Sequence, residues 1–156
     1  MIFVTVDNID RRILSVLQVD ASLSLDAVGE KVGLSRNATW RRVRAMEEAG
    51  IIRGRVTLLD ARRLRLGLTV FIQIRTNRHD PQWLADFKRA TRNMPEIVSA
   101  FRMSGDLDYL VEARVADMAA YDVLYQDLIR RVDMSDVSAS FVMEELKDTT
   151  ALPLNT

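Results

Sequence analysis

At 156 residues, with 48% hydrophobic and 28% charged side chains, the sequence has the composition of one ordinary domain or two small ones and not of a disordered chain. It contains no cysteine, which excludes a disulfide framework and thiolate metal sites and leads us to expect a reducing, cytoplasmic setting. Its 22 basic and 22 acidic residues cancel, yet the window 35–55 holds six arginines against two glutamates, and a polyanion responds to such a local patch.

The opening stretch MIFVTVDNID has a short apolar run but no basic n-region, no long h-region and no small-residue cleavage site, so no signal peptide is expected. Apolar residues never run for the roughly 20 positions that a membrane-spanning helix needs, and no membrane partner is expected. Ile9, Ile13, Val16 and Leu17 then fall at helical spacing behind a cap at Asp7 or Asn8, which predicts a first helix to about Val19. DASLSLD reads as a turn with Ser24 as the next cap. Leu25, Val28 and Val32 form the inward stripe of a short second helix that Gly33 stops, and Ser35 caps a third. Two helices joined by a short turn containing Gly are the helix-turn-helix pattern.

At about 100° per residue, Thr39, Val43 and Met46 share the inward face of the third helix, while Asn37, Arg41 and Arg44 point the other way. Arg matches guanine O6 and N7, Asn matches adenine N6 and N7, and both bind phosphate, so this ridge suits a major groove. Arg53 and Arg55 follow closely enough to grip backbone phosphates. Trp40 and Arg42 lie on the flanks. Trp40 either packs or lays its edge over the helix–DNA margin, and Arg42 pairs with an acid such as Asp10 or Glu30 or reaches a base. The candidate DNA-contacting set is Ser35, Arg36, Asn37, Ala38, Trp40, Arg41, Arg44, Arg53 and Arg55.

After Gly50, GIIRGRVTLLD has strand or hairpin chemistry, and ARRLRLG is a basic connection into the second half. The domains expected are residues 1–62, a winged helix-turn-helix with a strand linker, and residues 63–156, ending in a carboxy-terminal tail. In the second domain Leu68, Val70, Ile72 and Ile74 alternate as a strand, followed by the turn NRHDP. Trp83, Leu84, Phe87, Ala90 and Met94 form a helical stripe. EIVSAFRMS and YLVEARVA make a hairpin around GDLD. Met118, Tyr121, Leu124, Tyr125, Leu128, Ile129 and Val132 mark a second helix, and Val137, Ala139, Phe141 and Met143 alternate in a last strand. The order β-α-β-β-α-β is the ferredoxin-like split unit, so the fold class is α+β. Its helices cover one sheet face. Phe71, Val98, Ala100, Leu110 and Val142 are expected on the other, which a second copy of the chain would cover.

The motifs DNIDRRIL, SLDAVGEKVGLSRNATWRRVRAMEEAGII, RVTLLD, MSGDLDYLVEARVAD and SASFVMEELKDTTALPL, in this order and spacing from end to end, resemble the Lrp/AsnC family of bacterial and archaeal transcription factors. The resemblance implies a DNA-binding winged helix-turn-helix joined to an amino-acid-sensing ferredoxin-like domain, assembling as homodimers and further into tetramers or octamers. RVTLLD and TTALPL look most like the branch that controls amino-acid catabolism or detoxification genes. Arg36 stands where the family often has proline and Thr39 where it often has valine, departures that bear on the operator sequence. The resemblance also places the effector site on Met103, Ser104, Gly105, Asp106 and Asp108 of the hairpin turn and on Ser138 and Ser140 of the last strand. Such residues suit a zwitterion, with an acid for its ammonium and hydroxyls and turn amides for its carboxylate. Asp108 has the alternative of holding the turn through backbone bonds.

An enzyme needs a nucleophile with its base, or a metal. The single histidine, His79, sits in a polar turn, and no Gly-rich phosphate loop, HExxH or GxSxG occurs. Asp106, Asp108 and Glu112 are a weak Mg²⁺ set. No enzymatic activity, cofactor or metal is expected. The alternative function is an architectural DNA-binding protein without a small-molecule effector.

Overall fold

The computed structural model describes residues 5–154 in two compact units, one taking the described residues up to Leu58 together with those from Lys147 onward and the other Leu59–Leu146. Residues 1–4, which carry most of the apolar run read for a signal peptide, lie outside the described residues.

The first unit contains α1 (Asn8–Leu17), α2 (Leu25–Val32) and α3 (Arg36–Glu48). Asp7 caps α1 reciprocally: its carboxylate accepts the Asp10 amide at 2.8 Å, and the Asp10 carboxylate accepts the Asp7 amide at 3.1 Å. Ser24 and Ser35 cap α2 and α3 by accepting the amides of Ala27 and Ala38. Gly33 closes α2 at φ +76°, a conformation that costs a residue with a Cβ about 1–2 kcal/mol. Ile13, Val28, Val32, Val43 and Met46 meet in one core, which fixes the three helices to one another.

Three expectations for this half need correction. The first helix ends at Leu17, and Val19 is exposed beyond it. Residues 51–60 form no strand: they run without a ladder partner among the described residues, and Val56, Leu58 and Leu59 are exposed. β-Branched composition suits a strand, but only pairing makes one. The tail groups with the first unit, not the second. The side-chain amide of Gln18 brackets Leu152 there, donating to its carbonyl at 3.0 Å and accepting its amide at 2.9 Å.

The second unit runs β1 (Leu68–Arg75), α4 (Pro81–Arg92), β2 (Ile97–Arg102), β3 (Tyr109–Val115), α5 (Met118–Arg131) and β4 (Asp136–Phe141). Its sheet has the order β2-β3-β1-β4 with every neighbouring pair antiparallel. Asp80 caps α4 by accepting the Trp83 amide, with Pro81 at the first helical position, and Asp117 caps α5. Val70, Ile72 and Ile74 of β1 and Val111, Ala113 and Val115 of β3 are buried against both helices. Each large aliphatic among them contributes about 1.5–3 kcal/mol. Trp83, Phe87 and Tyr109 stack within the same core at centroid separations of 4.6–5.3 Å.

The register corrects the expected open face. A bulge between Ile97 and Ser99 places Ala100 opposite Val111, on the helix side, and Phe101 opposite Leu110, on the open side. An extra residue shifts the alternation by one, so every later side chain of β2 changes face. Met118 and Ile129 are exposed on α5 instead of joining its buried stripe, which is carried by Leu124 and Leu128, with Val132 buried just past the helix end. β4 stops at Phe141, leaving Met143 exposed.

Candidate functional site

α3 is anchored on one side and free on the other. Thr39, Val43 and Met46 are buried, and the Thr39 hydroxyl donates to the Ser35 carbonyl at 3.0 Å, so its burial leaves no polar atom unpaired. Asn37, Arg41 and Arg44 are exposed on the opposite ridge, as the periodicity predicts. A helix of this length spans about 20 Å, enough to lie along a major groove about 12 Å wide.

The arginines differ in what holds them. Arg41 and Arg53 have no ion-pair partner among the described residues. Arg44 donates to Glu48 at 2.8 Å and lies over the Trp40 ring, 5.5 Å from its centroid. Arg55 pairs with Glu47 at 2.8 Å, and Arg36 with Asp26 at 3.7 Å. Exposed pairs of this kind contribute about 0–1 kcal/mol, so a phosphate can replace the carboxylate at little expense. Trp40 is 50% exposed and stands outside the core, against the packing alternative. Ser35 is exposed and occupied as a cap, and Ala38 is half-buried. Arg42 is held inward, donating to Asp7 at 2.8 Å and to Asp10 at 2.9 Å; Glu30 is not its partner. These bonds raise the Arg42 pKa further, Asp7 being the larger cause. The Asp10 amide and the Arg42 guanidinium hold Asp7 below its ordinary value of 3.8.

In the second unit, the turn 103–108 closes through the Met103 amide on the Asp108 carbonyl at 2.8 Å. The Asp108 carboxylate accepts the Thr76 amide at 2.9 Å, so it secures the turn to the end of β1. That favours the structural alternative for Asp108, with Thr76 as the backbone partner. Met103, Ser104, Gly105 and Asp106 are exposed. Ser138 lies opposite Gln73 and Ser140 opposite Phe71, both on the open face, where the Gln73 amide donates to the Ser140 hydroxyl at 3.3 Å. Arg75 joins the two parts. Its Nε donates to the Asp106 carbonyl at 2.9 Å, and its Nη1 to Asp136 at 2.7 Å, two residues along β4 from Ser138.

Sequence reasoning missed Arg75; the available signal was a charged residue closing an otherwise uncharged strand. Glu112 pairs with Arg114, and no group of three or more His, Cys, Asp or Glu among the described residues is placed to hold a metal ion. No helix among the described residues is long and apolar enough to cross a membrane. His79 is exposed.

Comparison with known proteins places both units. A family profile described as winged helix-turn-helix DNA-binding matches residues 6–53, and one described as Lrp/AsnC ligand binding domain matches 69–152. The chain is 47% identical to the glutamate uptake regulatory protein of Zymomonas mobilis over 95% of its own length and 90% of that protein's. It is 44% identical to the DNA-binding transcriptional activator DecR of Escherichia coli over 95% and 98%. A transcriptional regulator from Neisseria meningitidis, solved in complex with L-Met, superimposes with a TM-score of 0.92 at 38% identity, covering 97% of this chain and 98% of that one. With a capped helix-turn-helix in one unit and an antiparallel β-α-β-β-α-β sheet in the other, the chain belongs to the Lrp/AsnC family of DNA-binding transcriptional regulators.

Proposed function

We propose that the protein is a cytoplasmic, homodimer-based regulator that reads an operator with the outer ridge of α3 and changes its DNA binding or assembly when an α-amino acid occupies the turn 103–108. The observation that carries the DNA half is the division of α3 between buried Thr39, Val43 and Met46 and exposed Asn37, Arg41 and Arg44. Ser35, Arg36, Ala38 and Trp40 line the same end of the helix, and Arg53 and Arg55 supply phosphate contacts. The reading treats the protein as a non-enzymatic switch.

The effector half rests on Asp106, whose exposed carboxylate is available to an ammonium, and on the hydroxyls of Ser104, Ser138 and Ser140 and the amides of Met103 and Gly105 for a carboxylate. The Neisseria regulator's complex with L-Met makes that amino acid the first to try. A dimer is supported by the open sheet face, where Phe71, Phe101 and Leu110 stand without cover from either helix. Paired half-sites about one helical turn apart need such a dimer. Further assembly of such dimers into tetramers or octamers is part of the same reading.

Footprinting on the DNA upstream of the chain's own reading frame, with and without each of the twenty amino acids, tests both halves. A protected site whose extent changes with at least one amino acid is expected. Protection indifferent to all twenty, with no binding heat for any, would leave an architectural DNA-binding protein instead.

A further inference from the structure

A groove of about 440 Å³ opens in the second unit between α4 and the edge strand β2. Leu84, Phe87 and Tyr109 give it an apolar floor, and Lys88, Arg92 and Arg102 stand around it. No acidic side chain lines it, and none of these three cations has an ion pair or side-chain hydrogen bond among the described residues. Their neighbours differ: Arg89, next to Lys88 on the same helix, pairs with Asp86, and Arg131 on α5 pairs with Asp127. The groove is a product of the β2 bulge. By shifting the alternation it turns Ala100 and Arg102 toward α4, so a small side chain leaves the space and a long cation reaches its edge.

Three like charges beside an apolar floor repel one another and attract an anion, and the attraction is stronger there than on an open surface because the floor excludes water. Guanidinium groups grip a carboxylate with paired hydrogen bonds, while the aromatic floor accepts an apolar body. An amino-acid zwitterion is disfavoured, because its ammonium would meet three cations and no carboxylate, only the hydroxyls of Thr91 and Tyr109. We propose that this groove is a second small-molecule site, for a monocarboxylate with an apolar body and no ammonium, the class to which 2-oxo acids belong. It adjoins the turn 103–108 but shares none of its residues. DNA phosphates are the competing occupant of a basic surface, but a phosphodiester would leave the apolar floor unfilled.

Calorimetry with phenylpyruvate on the full chain and on its Asp106→Ala variant tests the assignment, since loss of the amino-acid response at the turn then leaves this site readable. Saturable binding at one molecule per chain is expected in both, with L-phenylalanine and inorganic phosphate at least about tenfold weaker in the Asp106→Ala chain. Arg92→Gln and Arg102→Gln, both at exposed positions, are each expected to weaken phenylpyruvate by at least about tenfold, the size of one charged hydrogen bond. The proposal fails if wild-type protein shows no saturable binding, or if phosphate matches phenylpyruvate. It fails equally if neither arginine variant matters, or if both variants instead weaken binding to a random duplex and flatten its salt dependence, which would make these side chains phosphate contacts.

Discussion

Arg42 on α3 donates to Asp10 on α1 at 2.9 Å, and Asp10 is only 6% exposed. The same carboxylate accepts the Asp7 amide, so one acid caps the first helix and anchors the third. Arg42 therefore belongs to the scaffold, although it sits in the middle of the basic run WRRVR. Arg42→Ala should destabilise the protein by about 1–2 kcal/mol, because it strips a nearly buried carboxylate of its charged donor. Arg42→Lys should recover only part of this, since a single ammonium lacks the planar fork that reaches both acids. Urea unfolding followed by circular dichroism measures both.

The same cluster sets an acid sensitivity. Asp7 is held below 3.8 chiefly by the Asp10 amide and then by Arg42. A folded-state pKa below the unfolded value contributes stability that is complete above the unfolded value and fades as pH falls through the folded one. Asp80, held low by the Trp83 amide and then Arg78, acts in the same sense in the second unit. Melting temperature should thus hold between pH 7 and about pH 5 and drop below pH 4, within which Asp7→Asn should flatten the decline while lowering stability at neutral pH.

Arg41 is exposed and has no ion-pair partner among the described residues, so nothing described in the fold needs its charge. Arg41→Ala should leave the melting temperature and oligomer size unchanged and weaken operator binding by about 1–3 kcal/mol. A gel shift at fixed salt checks it. Normal operator affinity in this variant would remove the proposed reading face.

Gly29 has no room for a side chain. A Cβ there would stand 2.6 Å from the Leu34 carbonyl oxygen and 2.8 Å from the Thr39 hydroxyl. Leu34 is held close to this position, since its amide donates to the Gly29 carbonyl at 2.8 Å. Gly29→Ala should cost about 1–3 kcal/mol through this overlap despite alanine's better helix propensity. Thermal unfolding should show the loss, together with weaker DNA binding from a displaced α3.

Two acids of one turn should separate structure from response. Asp108→Ala removes the acceptor of the Thr76 amide and should destabilise the second unit by about 1 kcal/mol. Asp106→Ala touches an exposed carboxylate and should leave stability unchanged while abolishing the amino-acid effect on DNA binding. Parallel melts and footprints distinguish the two.

The sequence alone determined what local chemistry controls. Serine and aspartate caps, Gly33, and the 3.6-residue spacing of Thr39, Val43 and Met46 were sufficient to start, stop and orient α3, because each acts within one or two turns of chain. Alternation in β1 likewise identified its buried face. Tertiary structure decided whatever depends on a partner distant in sequence. The strand-like residues 51–60 found no ladder partner, a bulge exchanged Ala100 and Phe101 between faces, and Gln18 drew Leu152 into the first unit across 134 positions. The destination of each charge was decided the same way: Arg41, Arg42 and Arg44 are indistinguishable by composition, yet one has no ion pair among the described residues, one is tied to α1 and one leans on Glu48 and Trp40. An ion pair depends on where two side chains end in space, and their order along the chain carries only one of those coordinates.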